Sequence, residues 1–223
     1  MPEAESTTDL ARLRKRMVND QLAMRGIQDP LVLEAMGTVP REVFVPDSQV
    51  QFAYADSPLP IGEGQTISQP YIVALMTEAL ELTPGDRVLE IGTGSGYAAA
   101  VLSRIARQVY TVERHSSLAR AAEVRFRTLG YDNLQVHVGD GTLGWVEQAP
   151  YDGIVATAGG PSIPQPLLDQ LKRGGRLVMP VGRSPQLQEL IRVRRLAEDG
   201  YRREELGSVR FVPLIGQAGW PGA

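Results

Sequence analysis

The stretch Val88-Leu89-Glu90-Ile91-Gly92-Thr93-Gly94-Ser95-Gly96-Tyr97 decides the fold of this chain. The apolar run at its start predicts a short buried strand, and the alanine-rich segment 97–106 that follows predicts a helix. The three glycines between them allow a tight turn, in which a ligand can approach the backbone and the free N–H groups at the start of the helix. The pattern is therefore typical of a cofactor-binding turn in an α/β protein.

The residues around the glycines distinguish between two classes of cofactor, dinucleotides and S-adenosylmethionine. A dinucleotide-binding turn has the pattern Gly-x-Gly-x-x-Gly/Ala, in which the last position needs a small residue. With Gly92 and Gly94 as the first two glycines, that last position is Tyr97 in this chain. Glu90 favours a cationic ligand over a pyrophosphate, because like charges repel. A GxGxG turn preceded by Glu resembles the pattern of class I methyltransferases. That resemblance implies S-adenosylmethionine bound at Glu90, Gly92, Gly94 and Gly96.

Two further acidic residues follow the next two predicted strands. Glu113 ends the strand 108–112, where a carboxylate can accept hydrogen bonds from both ribose hydroxyls. Asp140-Gly141 follows the strand 134–138, at a position suited to the adenine amino group. Glu113 alone could be an exposed strand-end charge, and Asp140 alone a turn residue or a helix cap. Their order after successive strands favours one cofactor site at the carboxyl edge of a parallel sheet.

Helices and strands alternate along the chain, which predicts a doubly wound, mostly parallel sheet of the Rossmann-like kind. We expect one domain, with residues 1–83 as an N-terminal helical and substrate-loop region that selects the acceptor, and 84–223 as the cofactor-binding core. The Pro- and Gly-rich segment 39–68 is predicted as an irregular, ordered and functional loop. The last two strands are predicted as a hairpin that adds an antiparallel edge. The predicted helices are 10–25, 30–36, 71–82, 97–106, 117–129 and 165–171, and the predicted strands are 87–91, 108–112, 134–138, 151–157, 176–181, 188–195 and 201–212.

Composition excludes several classes of protein. The 223 residues carry a net charge of −3 and no cysteine, which rules out disulfides, Cys-ligated metals and a cysteine nucleophile. The negative charge argues against a nucleic-acid partner. The sequence has no signal peptide and no apolar run of the roughly 18 residues that a membrane span needs, so we expect a cytoplasmic location. His115 and His137 have no metal-ligand spacing, and we expect no metal.

The loop Gly64-Gln65-Thr66-Ile67-Ser68-Gln69-Pro70 is the most specific of the motifs that flank the core. This loop and the other flanking segments resemble the protein-L-isoaspartate O-methyltransferase family in its bacterial form. Tyr71 stands where animal members have histidine, and Gln217 where an acidic residue is commoner. The other similar segments are 17–27, 32–36, 39–46, 53–62 and 210–216.

The resemblance implies a repair enzyme. Such an enzyme methylates the free α-carboxylate of L-isoaspartyl residues in damaged proteins and peptides, with S-adenosylmethionine as donor. It also implies that Ser68 is the active-site residue and that backbone groups of Ile67 and Val212 hold the isoaspartyl main chain. The acceptor carboxylate has a pKa of about 4 and is already an anion at neutral pH, so neither a strong base nor a metal is needed. Catalysis should consist mainly of in-line positioning with water excluded.

Other interpretations remain open at this point. Ser68 alone is more typical of a helix N-cap before Pro70 than of a catalytic residue. The chain could methylate a small-molecule carboxylate or a nucleic acid on the same fold, although Ala156-Thr157-Ala158-Gly159-Gly160 lacks an Asn/Asp-Pro-Pro-aromatic motif. It could also bind the cofactor or a partner without catalysis. Asp56 is predicted as a turn residue, and we expect a monomer without nucleic-acid or membrane partners.

Overall fold

A central seven-stranded sheet carries the glycine turn. The computed structural model of the protein describes residues 3–184, 186–196 and 200–221. A separate two-stranded hairpin precedes the large sheet. The strands are β1 Leu59–Gly62, β2 Gln65–Ile67, β3 Arg87–Ile91, β4 Gln108–Glu113, β5 Leu134–Val138, β6 Tyr151–Ala156, β7 Leu171–Ser184, β8 Leu187–Arg195 and β9 Tyr201–Val209. The α-helices are α1 Glu3–Arg16, α2 Pro30–Thr38, α3 Pro70–Ala79, α4 Tyr97–Ser103, α5 Ser116–Thr128 and α6 Gln165–Gln170.

The strand order of the large sheet is β5-β4-β3-β6-β7-β8-β9. The first five strands of this order pair in parallel, and β8 and β9 add antiparallel pairs. The predicted doubly wound sheet with a C-terminal antiparallel hairpin is therefore confirmed. The chain runs outward from β3 through β4 to β5 and then returns to the other side of β3 at β6. Open α/β sheets bind ligands at such a switch point, outside the carboxyl ends of the strands.

Alternating side chains of β3 bury both faces of the sheet. Val88 packs into a core formed with the N-terminal segments and α3, α4 and α5. Leu89 and Ile91 pack into the opposite core, which includes Tyr151 and Leu167. A strand with both faces buried reads as a continuous apolar run, which is why β3 is visible in the sequence.

The first predicted helix is not a single regular helix. The α-helix ends at Arg16, and Met17–Leu22 continues it as a π-helical turn. The prediction of one amphipathic helix over 10–25 was wrong in this respect. The wider turn brings residues five apart onto the same face, which allows Met17 and Leu22 to be buried together.

The segment 39–68 is more regular than its sequence predicts. It contains two 3₁₀ turns, Arg41–Phe44 and Asp47–Phe52, followed by the β1–β2 hairpin. The prediction of an irregular loop was therefore wrong for residues 59–67. Strands this short show no detectable alternation, and the glycines that suggested a loop form the tip of the hairpin, where Gly62 and Gly64 have positive φ.

The ends of β7 and β9 differ from those of the predicted strands 176–181 and 201–212. β7 is longer at both ends than the predicted strand, because it pairs with β6 early and with β8 late. β9 ends at Val209, so Phe211 and Val212 lie in a segment that crosses the carboxyl edge of the sheet. Trp220 anchors this segment, since its Nε1 donates to the carbonyl of Gly159 at 3.0 Å. Within the described residues, no helix is long and apolar enough to cross a membrane.

Candidate active site

A cavity opens at the carboxyl ends of β3 and β4. Five of the seven residues predicted to bind the cofactor line it, namely Glu90, Gly92, Gly94, Glu113 and Gly141. The cavity is closed on another side by the β2 segment Gln65–Ile67 and by Ser68. The structure thus brings together residues that are far apart in the sequence.

The glycine turn depends on conformations and contacts that only glycine permits. Gly92 has a φ of +95°, and a Cβ there would overlap Oγ1 of Thr157. Gly96 has a φ of +91°, and a Cβ would lie 2.7 Å from the ring of Phe126. Gly92 faces the cavity, whereas Gly96 does not line it and instead lets α5 pack against the turn. Gly96 was predicted to bind the cofactor; its close approach to Phe126 is a packing contact, and cofactor binding at Gly96 stays a prediction.

Glu90 is a fully buried carboxyl group on the wall of the cavity. Its Oε2 accepts a hydrogen bond from the Thr111 hydroxyl at 2.6 Å. Its Oε1 has no hydrogen-bond partner among the described residues. Burial raises the pKa of Glu90 to about 8, the Thr111 hydrogen bond opposes the rise, and the nearby charge of Glu113 adds to it. The unpartnered oxygen suits a ligand with a cationic donor group.

Glu113 joins the glycine turn to the start of α5. Its Oε2 accepts from the N–H of Gly94 at 2.9 Å, and its Oε1 accepts from the N–H of His115 at 2.9 Å. The side chain is buried at the cavity wall. Each carboxylate oxygen can accept more than one hydrogen bond, so this geometry leaves capacity for two ligand hydroxyls.

Asp140 lies beside the cavity but does not line it. One oxygen accepts from the N–H and the hydroxyl of Thr142, and the other accepts from the N–H of Gln217 at 2.7 Å. Burial alone would raise the pKa of Asp140, but these hydrogen bonds hold it below its usual value. In this structure Asp140 caps the turn Gly141–Leu143 and anchors the C-terminal segment. Contact with the adenine amino group stays a prediction.

A second, larger groove lies on the other side of Ser68. It is lined by the start of α3 and by β8, β9 and the segment after β9. The groove and the cofactor cavity share five lining residues: Thr66, Ser68, Thr157, Val212 and Pro213. Two ligands held in the two cavities would therefore meet at this shared wall, which includes Ser68.

The Ser68 hydroxyl is free for a ligand. The residue that caps α3 is Gln69, and the Ser68 hydroxyl makes no hydrogen bond within the described part of the chain. The N-cap interpretation of Ser68 therefore does not account for its position. Its carbonyl, in contrast, is held by Nη2 of Arg41 at 2.8 Å.

Ile67 and Val212 both line the cofactor cavity. Ile67 is buried and pairs with Leu59 across the hairpin. The Val212 carbonyl accepts from the N–H of Gly159 at 2.8 Å, and its own N–H has no acceptor among the described residues. The backbone N–H of Val212 is therefore available to donate a hydrogen bond to a ligand.

Two residues at this site are absent from the sequence-based prediction. Thr157 directly follows β6 and donates to the carbonyl of Gly92 at 2.8 Å. Its place at the end of a parallel strand is a signal that could have identified it. Arg41 is fully buried behind Ser68, and nothing in the local sequence distinguishes it from a surface arginine.

Asp56 and Tyr71 both contact Arg25, and none of these three residues lines the cavity or the groove. Arg25 pairs with Asp56 at 2.6 Å and lies over the ring of Tyr71, at 3.8 Å from its centroid. This cluster ties the N-terminal segment to the start of α3. Among the described residues no group of three or more His, Cys, Asp or Glu side chains could hold a metal ion.

A family model and several known proteins of similar sequence carry the same description. A family model described as protein-L-isoaspartate(D-aspartate) O-methyltransferase matches residues 12–219. A Pelobacter propionicus protein named protein-L-isoaspartate O-methyltransferase 2 is 66% identical over 207 residues, which cover 93% of this chain and 92% of that protein.

Two solved structures extend this similarity to the fold. A structure named protein-L-isoaspartate O-methyltransferase has a TM-score of 0.84 and 32% identity, covering 92% of this chain and 67% of that one. A Plasmodium falciparum structure assigned to the same enzyme class has a TM-score of 0.77 and 25% identity, covering 91% of this chain and 98% of that one. It was solved in complex with S-adenosyl-L-homocysteine.

Proposed function

Since the chain belongs to the protein-L-isoaspartate(D-aspartate) O-methyltransferase family, we propose that Ser68 is the point where its methyl donor and its acceptor meet. The enzyme transfers a methyl group from S-adenosylmethionine to the α-carboxylate of L-isoaspartyl residues in damaged proteins. The observation that carries the proposal is the shared wall of the two cavities at Ser68.

The residues of the cofactor cavity fit S-adenosylmethionine. The unpartnered Oε1 of Glu90 would accept from its ammonium group, and Glu113 from its ribose hydroxyls. Gly92 and Gly94 keep the wall free of side chains, so the ligand can approach the backbone closely. Gly141 lines the same cavity and would contact the adenine ring, while Asp140 caps the turn Gly141–Leu143 and so holds Gly141 in place.

The donor supplies a methyl group on a positively charged sulfur, which leaves as a neutral thioether. A carboxylate oxygen forms the new C–O bond while the S–C bond breaks and its electron pair stays on sulfur. No proton moves in this step, because the acceptor carboxylate is already an anion at neutral pH, so the step needs no general base. The contribution of the protein is then to hold oxygen, carbon and sulfur in line in a site from which water is excluded.

Ser68 orients the acceptor in this proposal. Its free hydroxyl donates to one carboxylate oxygen and leaves the other directed at the cofactor cavity. The N–H of Val212, on the wall shared by both cavities, can hold a carbonyl of the isoaspartyl main chain, while buried Ile67 shapes the wall. The methyl ester later expels methanol to form a succinimide, which hydrolyses in part to aspartate.

Several sequence-based expectations stay predictions. They are the cytoplasmic location, the monomeric state, the absence of nucleic-acid and membrane partners, and the assignment of the acceptor to residues 1–83. The groove takes part of its lining from residues 208–213, so we propose that acceptor recognition is shared between the N-terminal region and the end of β9.

A pair of peptides tests the proposed function. The peptides differ only in L-isoaspartate or L-aspartate at one position, and both are incubated with S-adenosylmethionine labelled in the methyl group. We expect base-labile methyl ester on the isoaspartyl peptide alone, because only this residue presents an α-carboxylate on a side branch. Equal labelling of both peptides, or labelling of neither, would contradict the proposal.

A further inference from the structure

Arg41 is a buried cation that the reaction described above does not use. Its side chain has 0% relative exposure, and its guanidinium lies over the ring of Tyr97, 4.8 Å from the centroid. Nε donates to the carbonyl of Ala53 at 2.7 Å, and Nη2 donates to the carbonyl of Ser68 at 2.8 Å. Nη1 has no hydrogen-bond partner among the described residues.

Burial of this charge is costly. No carboxylate in the described part of the chain forms an ion pair with Arg41, and burial lowers the pKa of its guanidinium. The nearest acid in sequence, Glu42, pairs instead with Arg14 at 3.0 Å. A residue that only filled this space could be apolar at lower cost. The unpaired charge lies next to the loop of Ser68, where an anion bound at that loop would stabilise it.

The bond to Ser68 also fixes the direction of the next amide. The peptide between Ser68 and Gln69 is trans, so its C=O and N–H point in opposite directions. The C=O points inward at Arg41, and the N–H of Gln69 must therefore point outward. That N–H has no acceptor among the described residues, and Ser68 and Gln69 both line the groove.

We propose that Arg41 is a positioning residue that turns the Gln69 N–H and the Ser68 hydroxyl together onto the acceptor carboxylate. The inference rests on the proposed function, because it takes the carboxylate at Ser68 as given. The hydrogen bond from the cation polarises the Ser68–Gln69 peptide and makes its N–H a stronger donor. The charge of Arg41 adds a positive potential behind both donors, in a place where water does not screen it.

A purely structural role for Arg41 makes a different prediction. Arg41 would then only tie the turn Arg41–Phe44 to Ala53 and Ser68. Its loss would lower the stability of the protein without changing how the enzyme distinguishes a carboxylate from a neutral group. The ratio of affinities for two matched peptides separates the two roles.

The measurement compares two inhibitory peptides in the presence of S-adenosylhomocysteine. One carries L-isoaspartate with its free α-carboxylate, and the other carries the α-carboxamide at the same position. Gln69→Pro removes the N–H, and the native φ of −50° at Gln69 suits proline. Gln69→Ala, which keeps the N–H, is the reference for it. Arg41→Met removes the charge, and Arg14→Met is its control, since Arg14 binds Thr38 and Glu42 without touching Ser68.

We expect the acid-to-amide affinity ratio to fall about tenfold in Gln69→Pro relative to Gln69→Ala, because a hydrogen bond to a charged group is lost. We expect a similar fall in Arg41→Met and none in Arg14→Met. An unchanged ratio in Gln69→Pro overturns the inference, and an unchanged ratio in Arg41→Met alone overturns the role of Arg41. If Arg41→Met does not fold, Arg41→Gln replaces it, because the amide keeps hydrogen-bond donors without the charge, and an unchanged ratio there overturns the role of Arg41. Failure of the wild type to methylate the isoaspartyl peptide would instead refute the proposed function.

Discussion

Replacement of Ser68 by alanine is expected to lower kcat for an isoaspartyl peptide about 100-fold, as for the loss of one positioned donor at a reacting oxygen. The reason is that its hydroxyl is free of intramolecular bonds and stands on the wall shared by both cavities. The affinity for S-adenosylmethionine should stay nearly unchanged, since Ser68 makes no hydrogen bond to the glycine turn or to Glu113.

Steady-state kinetics and calorimetry of the same preparations measure both effects. Ser68→Thr keeps the hydroxyl and should recover most of the rate. Ser48→Ala serves as the control, because Ser48 is exposed in the turn Asp47–Phe52 and lines neither cavity. If Ser68→Ala turns over at the wild-type rate, the hydroxyl has no part in the reaction.

Binding of the cofactor is expected to release close to one proton at pH 7. Burial raises the pKa of Glu90 to about 8, so at pH 7 about nine-tenths of the free enzyme carries the proton. An ammonium group beside Oε1 favours the carboxylate and lowers that pKa in the complex. The affinity should therefore rise with pH, by at most tenfold per unit, up to about pH 8, where the free enzyme is itself ionised.

Calorimetry in two buffers of different ionisation enthalpy counts the protons released. The ligand is S-adenosylhomocysteine, whose ammonium group is present at pH 7 and which does not turn over. Glu90→Gln is the matched variant, because the amide has the same shape and does not titrate; we expect close to zero protons released. The same proton release in both proteins would mean that Glu90 does not meet the ammonium group.

The cofactor half of the site could be predicted from the sequence because it follows general rules. Val88–Ile91 is a doubly buried strand, the glycines after it allow a tight turn, and Glu113 ends the next strand. Such positions are set by the topology of a parallel sheet, which the alternation of helices and strands already indicates. These rules do not decide the role of Asp140. A carboxylate at the end of a strand can bind a ligand, but here it caps the turn at Thr142 and accepts a hydrogen bond from Gln217.

The acceptor half could not be derived in this way. Ser68 became a candidate only through resemblance, since a serine before Pro70 is by itself an ordinary helix start. The β1–β2 hairpin is too short to show a period. The importance of Arg41 depends on its burial and on contacts with Ala53 and Ser68, which lie 12 and 27 residues away along the chain. Tertiary packing brings Ser68, the hairpin and Arg41 together, and such packing cannot be recognised from a local sequence pattern.

A structure of the ternary complex would show directly whether the acceptor carboxylate binds at Ser68. The enzyme would be crystallised with S-adenosylhomocysteine and an L-isoaspartyl peptide, and the position of the α-carboxylate measured. We expect one carboxylate oxygen within hydrogen-bond distance of Ser68 Oγ, with the other directed at the sulfur of S-adenosylhomocysteine. A carboxylate bound away from Ser68, with no line of approach to the sulfur, would refute the proposed role of Ser68.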